Sequence, residues 1–310
     1  MNYLKYWKLE RSPFQLSGTS STSFFDQGTV EEAIARIHFL IQSHRRLGTV
    51  VGESGVGKSR ILREFCSSAA YASKLPSDCR VYYISSAGWS VNRFYRWVSN
   101  TIGERTDGCD LYQSAMDSIS GGVALHGHLV LVVDDCEQAT LDLLKALQNL
   151  SGCASRLTLL LALSFATKDS PPQPISRDFQ LGQAETASKR AVLAGLANQS
   201  QLRIELPAWG LGQTADYFSM MLESAGGRSS IFEAQAITRI HELAEGLVKR
   251  MNQIADLSLV AAAARKFSRV PSELIDQICE ELGLVSGSGD FNSSQNERFG
   301  TARFAVGTKF

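Results

Sequence analysis

The sequence predicts an α/β fold in which a parallel sheet carries flanking helices and is followed by a small all-helical domain. Short β-branched or leucine-rich runs indicate strands near residues 48–52, 80–84, 129–133, 157–163 and 202–206. Stretches with apolar residues at helical spacing separate the first four runs, an order typical of parallel sheets. After Pro207 the pattern is helical only.

The predicted helices place apolar residues three and four positions apart, so that these residues share one face. In the first part of the chain they are 29–44, 59–73, 90–102, 111–119 and 139–150. In the second part they are 213–225, 231–244, 247–266 and 272–282. The segment Lys168–Pro174 contains three prolines, and we expect it to be a loop after the fourth strand.

Residues 52–59 match the G-x-x-x-x-G-K-[ST] pattern of a phosphate-binding loop (P-loop). Glycines allow the tight turn that points backbone N–H groups at phosphate oxygens, and the helix that follows adds its N-terminal dipole. We expect ATP and Mg²⁺ as ligands, with Lys58 at the β- and γ-phosphates and Ser59 on the metal. The predicted nucleotide contacts are Gly52, Glu53, Ser54, Gly55, Val56, Gly57, Lys58 and Ser59. The alternative is a glycine turn with an incidental Lys-Ser pair.

A pair of carboxylates follows the continuous apolar run Leu129–Val133. Such a run suits a strand buried on both faces, and ligands bind beyond the carboxyl ends of parallel strands. We predict that Asp134 holds Mg²⁺ and that Asp135 orients and deprotonates the attacking water. Glu137 is the rival base. The alternative is that the two aspartates only begin a turn and cap the helix starting near Thr140.

Composition narrows the classes of function. The chain has 31 basic and 31 acidic residues, so no overall field attracts nucleic acid, although a local basic patch stays open. Its six cysteines include no C-x-x-C pair, which argues against a zinc site or a redox motif. No apolar stretch reaches the roughly eighteen residues that span a bilayer, and the N-terminus lacks a signal-peptide core. We therefore expect a cytoplasmic protein.

Together these motifs resemble AAA+ ATPases, and most closely the bacterial general secretion pathway protein A (ExeA-type) group, which is related to transposition-regulator and ORC-like ATPases. The lead-in Tyr6–Phe14 and the helix Val30–Gln42 resemble the start of that group. Its lid pattern is similar to Leu206-Pro, Tyr217-Phe, Ala225-Gly-Gly, Ile237–Leu243 and Gly246–Asn252. The resemblance covers roughly residues 1–284 and implies a lid domain after the sheet.

We predict four regions. They are an aromatic, irregular lead-in over 1–28, an AAA+ nucleotide-binding α/β domain over 29–207, a helical lid over 208–284 and a disordered tail over 285–310. An alternative for the tail is that Phe304 and Phe310 dock onto a partner.

The resemblance also implies roles for individual residues. Ser164 falls at the polar sensor position that reads the γ-phosphate, and Asp135 falls where the family has glutamate, so we expect slow hydrolysis. The lid cation is Arg250 or Lys249, unless both are solvated residues on a helix face. Candidates for an intersubunit arginine finger are Arg177, Arg190 and Arg203.

Three functions follow from the resemblance. The first is an ATPase that forms a homo-oligomer with ATP and acts on an unidentified protein client of the secretion or pilus type. The second is a DNA-associated regulator resembling transposition-regulator ATPases. The third is an ATP-gated scaffold with little hydrolysis.

Overall fold

The computed structural model describes residues 2–15, 27–103, 110–153, 156–164 and 179–281. Five predicted features lie outside these residues. They are the tail, the loop Lys168–Pro174, Arg177, Phe304 and Phe310.

The N-terminal part alternates helices with strands. Its elements are α1 (Tyr3–Trp7), α2 (Gln27–Gln42), β1 (Leu47–Gly52), α3 (Lys58–Ser67), α4 (Ala69–Ala72), β2 (Cys79–Ser85), α5 (Val91–Thr101), α6 (Leu111–His126), β3 (His128–Asp134), α7 (Leu141–Cys153), β4 (Leu157–Ser164), α8 (Phe179–Gln199) and β5 (Leu202–Glu205). The C-terminal part is helical. Its elements are α9 (Leu211–Ser224), α10 (Ala234–Ala244), α11 (Val248–Ala264) and α12 (Ser272–Glu281).

The five strands form one parallel sheet in the order β2-β3-β4-β1-β5. Every residue of β3 is buried, as expected for a central strand covered on both faces. Alternate residues serve two cores. Leu129, Leu131 and Val133 pack toward α5, α6, α7 and α8, whereas Val130 and Val132 pack toward α2 and α3. The predicted parallel sheet with flanking helices and a following helical domain is confirmed.

Strand pairing brings polar residues together at the carboxyl edge of the sheet. Gly52 at the end of β1 pairs with Ser164 at the end of β4. Ser85 at the end of β2 pairs with Asp134 at the end of β3. The P-loop begins at the same edge, because it follows β1 directly.

The lead-in contains a short helix that the sequence did not predict. Residues Tyr3–Trp7 form α1, and three lead-in side chains (Trp7, Leu9 and Phe14) are buried in the core of the helical domain. The indole N–H of Trp7 donates to the carbonyl of Leu259 (2.9 Å). The ring of Phe14 lies 4.9 Å from that of Phe218 and meets Phe232 edge-on at 6.0 Å. Residues 3–14 of the lead-in are therefore part of the helical core.

Other predicted boundaries differ in identifiable ways. The predicted helix 59–73 is interrupted at Ser68, whose backbone is extended (φ −79°, ψ 119°). The helix predicted to end at 119 runs to His126, and a side chain at Gly122 would stand 2.7 Å from Ile102, so glycine here permits close packing rather than a break. Helix α8 was not predicted. No helix in the described ranges is both long enough and apolar enough to cross a membrane.

Candidate nucleotide-binding site

The P-loop joins β1 to α3 and is built around glycine geometry. Gly55 (φ 95°) and Gly57 (φ 113°) occupy the left-handed region, which glycine adopts without steric cost. A side chain at Gly52 would stand 2.7 Å from the carbonyl oxygen of Leu206, so only glycine fits beside the chain that leaves β5. The loop ends at the N-terminus of α3, which begins at Lys58.

Lys58 lies beneath this loop with 7% of its surface exposed. Its Nζ donates to the carbonyl oxygens of Gly52 (3.0 Å) and Glu53 (2.8 Å). Burial lowers the pKa of Lys58, and the nearby carboxylates, Glu137 first and then Asp134, oppose that shift. The Lys58 ammonium is thus held at the loop by two neutral carbonyl oxygens. Negatively charged phosphate oxygens would be stronger acceptors and would replace them.

Asp134 is almost fully buried at the end of β3 and both of its oxygens are engaged. Oδ2 accepts from the hydroxyl of Tyr83 (2.7 Å), and Oδ1 accepts from the backbone N–H of Asp135 (2.9 Å). Nε of Arg63 in turn donates to the Tyr83 hydroxyl (2.9 Å). Burial, followed by the bond to Asp134, raises the pKa of Tyr83, which keeps the phenol protonated as a donor.

Sequence reasoning missed Arg63 and Tyr83. Tyr83 pairs with Val132 in the sheet register, so its approach to Asp134 depends on knowing that β2 and β3 are neighbours. Arg63 lies on α3, one turn beyond the P-loop. Its position shortly after Lys58 on the same helix was the sequence feature that could have placed it near the site.

Asp135 has a left-handed backbone (φ 56°, ψ 35°) and turns its carboxylate toward β2. Its Oδ2 accepts from the hydroxyl of Ser85 (2.6 Å). The sheet order places β2 at the edge farthest from β1 on this side, so Asp135 leans away from the P-loop.

Glu137 lies on the opposite side of Asp134. The hydroxyl of Ser164 on β4 donates to its Oε1 (2.7 Å), and β4 is the neighbour of β1. Its Oε2 is buried and has no hydrogen-bond partner among the residues that the structure describes. The structure thus brings Ser164 and Glu137 together beside the P-loop.

The donor set at this edge fits Mg²⁺. Ser59 supplies a half-buried hydroxyl next to Lys58, and Asp134 supplies a carboxylate whose oxygens each keep a free lone pair. These are hard oxygen ligands, which Mg²⁺ prefers, and the ion keeps several waters at such sites.

The helical domain contacts the loop at the start of α11. The backbone N–H of Lys249 donates to the carbonyl of Gly55 (3.1 Å). Arg250 instead lies 3.5 Å from the carboxylate of Glu245. Among the finger candidates, Arg203 pairs with Glu205 (2.8 Å) and Arg190 is exposed on α8. The structure favours Lys249 over Arg250 at the loop, and the assignment of Arg250 to the nucleotide stays a prediction.

The family comparison agrees with this geometry. Residues 41–165, which include the P-loop, Asp134 and Ser164, match the family model AAA_22, described as an AAA domain. This part of the chain is therefore similar to an AAA domain. General secretion pathway protein A of Aeromonas hydrophila is 22% identical over 297 residues, which is 94% of this chain and 50% of that protein. The chain therefore spans about half the length of this curated relative.

Several solved structures share the fold of this chain. The ORC2 protein of Aeropyrum pernix in its ADPNP–ADP complexes aligns with a TM-score of 0.58 at 14% identity, covering 88% of this chain and 72% of that one. Cdc6p of Pyrobaculum aerophilum gives 0.57 at 16% identity, covering 87% and 70%. Drosophila ORC bound to DNA gives 0.58 at 14% identity, covering 87% and 64%. The resemblance to AAA+ ATPases stated from the sequence is confirmed.

Proposed function

We propose that this chain binds ATP with Mg²⁺ and hydrolyses it to ADP and phosphate. One observation carries the proposal: Lys58, Asp134 and the Ser164–Glu137 pair converge beside a glycine loop at the carboxyl edge of the sheet. A buried lysine under such a loop, faced by carboxylates, is the arrangement that phosphoryl transfer requires.

Each residue has a separate task in this proposal. The loop N–H groups cradle the phosphates, and Lys58 exchanges its bonds to the Gly52 and Glu53 carbonyls for phosphate oxygens. Asp134 and Ser59 hold Mg²⁺, which neutralises charge on the β- and γ-phosphates when bound. Tyr83 fixes the Asp134 carboxylate in place.

The attacking water needs a carboxylate to take its proton. Two are available beside Asp134, and they face different strands: Asp135 faces β2 and Glu137 faces β4. The hydroxyl of Ser164 lies next to the second of them.

Lys58→Ala tests the proposal. The variant is expected to lose binding of a fluorescent ATP analogue without unfolding, because the Lys58 ammonium donates to loop carbonyls and its side chain adds no core packing. Lys145→Ala, at an exposed lysine on α7, is the matched control and should bind normally. Parental affinity in Lys58→Ala would overturn the assignment. Binding without turnover in the parent would favour the ATP-gated scaffold.

We further propose that ATP drives homo-oligomer assembly and that the assembly acts on a protein machinery of the secretion or pilus type. The support is the similarity to general secretion pathway protein A, of which this chain spans about half. A pull-down with ATP-locked protein tests the client class, and recovery of the same proteins with nucleotide-free Lys58→Ala would count against it.

The second candidate is a DNA-associated regulator, and one surface feature favours it. The guanidinium of Arg93 lies 4.4 Å from the ring centroid of Trp89, next to exposed Arg96 on α5. Arginine–aromatic surfaces stack on single-stranded nucleic acid. Retention on single-stranded DNA that falls steeply with salt and is weakened by Arg93→Ala would support this function. Equal retention of the parent and Arg93→Ala would remove its basis.

A further inference from the structure

We propose that Glu137, rather than Asp135, is the carboxylate that takes the proton of the water attacking the γ-phosphate of ATP. This inference rests on the proposed ATPase function and assigns the catalytic residue within it.

The first argument is the side of the sheet on which each carboxylate lies. Glu137 accepts from Ser164 on β4, and Ser164 is in register with Gly52, the first residue of the P-loop. Asp135 accepts from Ser85 on β2, which β3 and β4 separate from β1. Glu137 therefore stands on the phosphate side of Asp134, and Asp135 stands on the other.

The backbone conformation after β3 explains why Glu137, two residues beyond Asp135, reaches Ser164 beside the P-loop. The left-handed conformation of Asp135 ends β3 and starts the short turn Cys136–Gln138, closed by the N–H of Gln138 on the Asp135 carbonyl (2.9 Å). Cys136 is fully buried in that turn and anchors it to the core. The next residue, Glu137, is thereby presented to β4.

The hydrogen bonds of Glu137 leave one oxygen for chemistry. Ser164 fixes Oε1, whereas Oε2 is buried and has no partner in the described part of the chain. An unpaired buried carboxylate oxygen costs free energy, and such costs are retained where function needs the group. In the step we propose, the water oxygen bonds to the γ-phosphorus and the bond from phosphorus to the β–γ bridging oxygen breaks. ADP leaves with that electron pair, and the water proton passes to Oε2.

The test compares neutral isosteres of the two carboxylates in the full chain with Mg²⁺ and ATP. Glu137→Gln is expected to bind a fluorescent ATP analogue within about threefold of the parent and to slow single-turnover hydrolysis on the order of a hundredfold or more, the usual contribution of a general base. Asp135→Asn is expected to slow it by less than about tenfold, because the amide oxygen still accepts from Ser85. Asp142→Asn, an exposed acid on α7, is the matched control.

Reversed results, with turnover lost in Asp135→Asn and kept in Glu137→Gln, overturn this proposal and leave the ATPase function intact. A parent that binds ATP but never hydrolyses it overturns the proposed function, and this assignment with it.

Discussion

The backbone N–H of Lys249 donates a 3.1 Å hydrogen bond to the carbonyl of Gly55, which joins the first turn of α11 to the middle of the P-loop. The contact is tight, because a side chain at Gly55 would stand 2.9 Å from Cβ of Lys249. Since the bond is between backbone groups, it depends on the position of the helix rather than on its sequence. A rearrangement of the P-loop around phosphate would therefore change the position of the helical domain directly.

The Lys249 side chain begins against Gly55 of the P-loop, and this position predicts that Lys249 is the basic residue of the helical domain that supports nucleotide binding. Lys249→Ala should weaken ATP binding by about threefold to fivefold, since an exposed charge contributes at most about 1 kcal/mol. Arg250→Ala should weaken it by less than about twofold, because Arg250 is already near Glu245. Titration of a fluorescent ATP analogue measures both. A larger loss in Arg250→Ala would restore the assignment made from the sequence.

Assembly is the next expectation. If the helical domain moves when the P-loop rearranges, nucleotide binding and the binding of neighbouring subunits are thermodynamically linked. ATP with Mg²⁺ should then shift the protein from a monomer or dimer to a ring or helical oligomer. Light scattering at tens of micromolar protein measures the mass with and without ATP. Lys58→Ala should show no shift. An unchanged parental mass would contradict the expectation.

The sequence predicted the elements whose pattern is local. Leu129–Val133 is a continuous apolar run, and it is fully buried in β3 as expected. Helix α1 was missed because its role depends on a distant partner: Trp7 bonds the carbonyl of Leu259, 252 residues away. Tyr83 was missed for the same reason, since only the pairing of β2 with β3 brings it to Asp134.

The candidate site shows a second feature that a local sequence pattern cannot predict. The P-loop could be recognised because its glycines and Lys58 act through one contiguous turn. The relative placement of Asp135 and Glu137 could not, because it depends on a left-handed backbone at a non-glycine residue. Spacing along the sequence favours Asp135, whereas the turn carries Glu137 to Ser164.

The lead-in gives a prediction about stability. Phe14 is 3% exposed and its ring contacts those of Phe218 and Phe232. Phe14→Ala should destabilise the helical domain by about 3–5 kcal/mol, as is usual for a buried phenylalanine. Phe39→Ala is the control, because that side chain is 55% exposed and its loss should cost less than about 0.5 kcal/mol. Urea unfolding followed by circular dichroism measures the difference, and equal midpoints for the two variants would show that the lead-in does not hold the domain together.

The last prediction concerns acid and begins with a buried histidine at the start of β3. His128 is 1% exposed, and its Nε2 lies 2.9 Å from Oγ1 of Thr158. Since the Thr158 hydroxyl donates to the carbonyl of Arg45 (2.6 Å), it accepts from Nε2–H. The other ring nitrogen, Nδ1, is buried with no partner within the described ranges, so protonation there would add an unpaired charge.

Burial, followed by the charge of His44 and then that of Arg156, lowers the pKa of His128 from 6.5 to about 4 against the opposing charge of Asp78. The unfolded chain then takes up a proton at a higher pH than the folded one does. The contribution of neutral His128 to the free energy of unfolding is therefore fully present above a pH of about 6.5. It is lost progressively as the pH falls toward about 4. His128→Gln keeps a donor for Thr158 and does not titrate, so its urea midpoint should fall less over this range than that of the parent. His126→Gln, two residues earlier at the end of α6, should follow the parent. If all three proteins lose stability equally between these pH values, protonation of His128 does not govern the acid response.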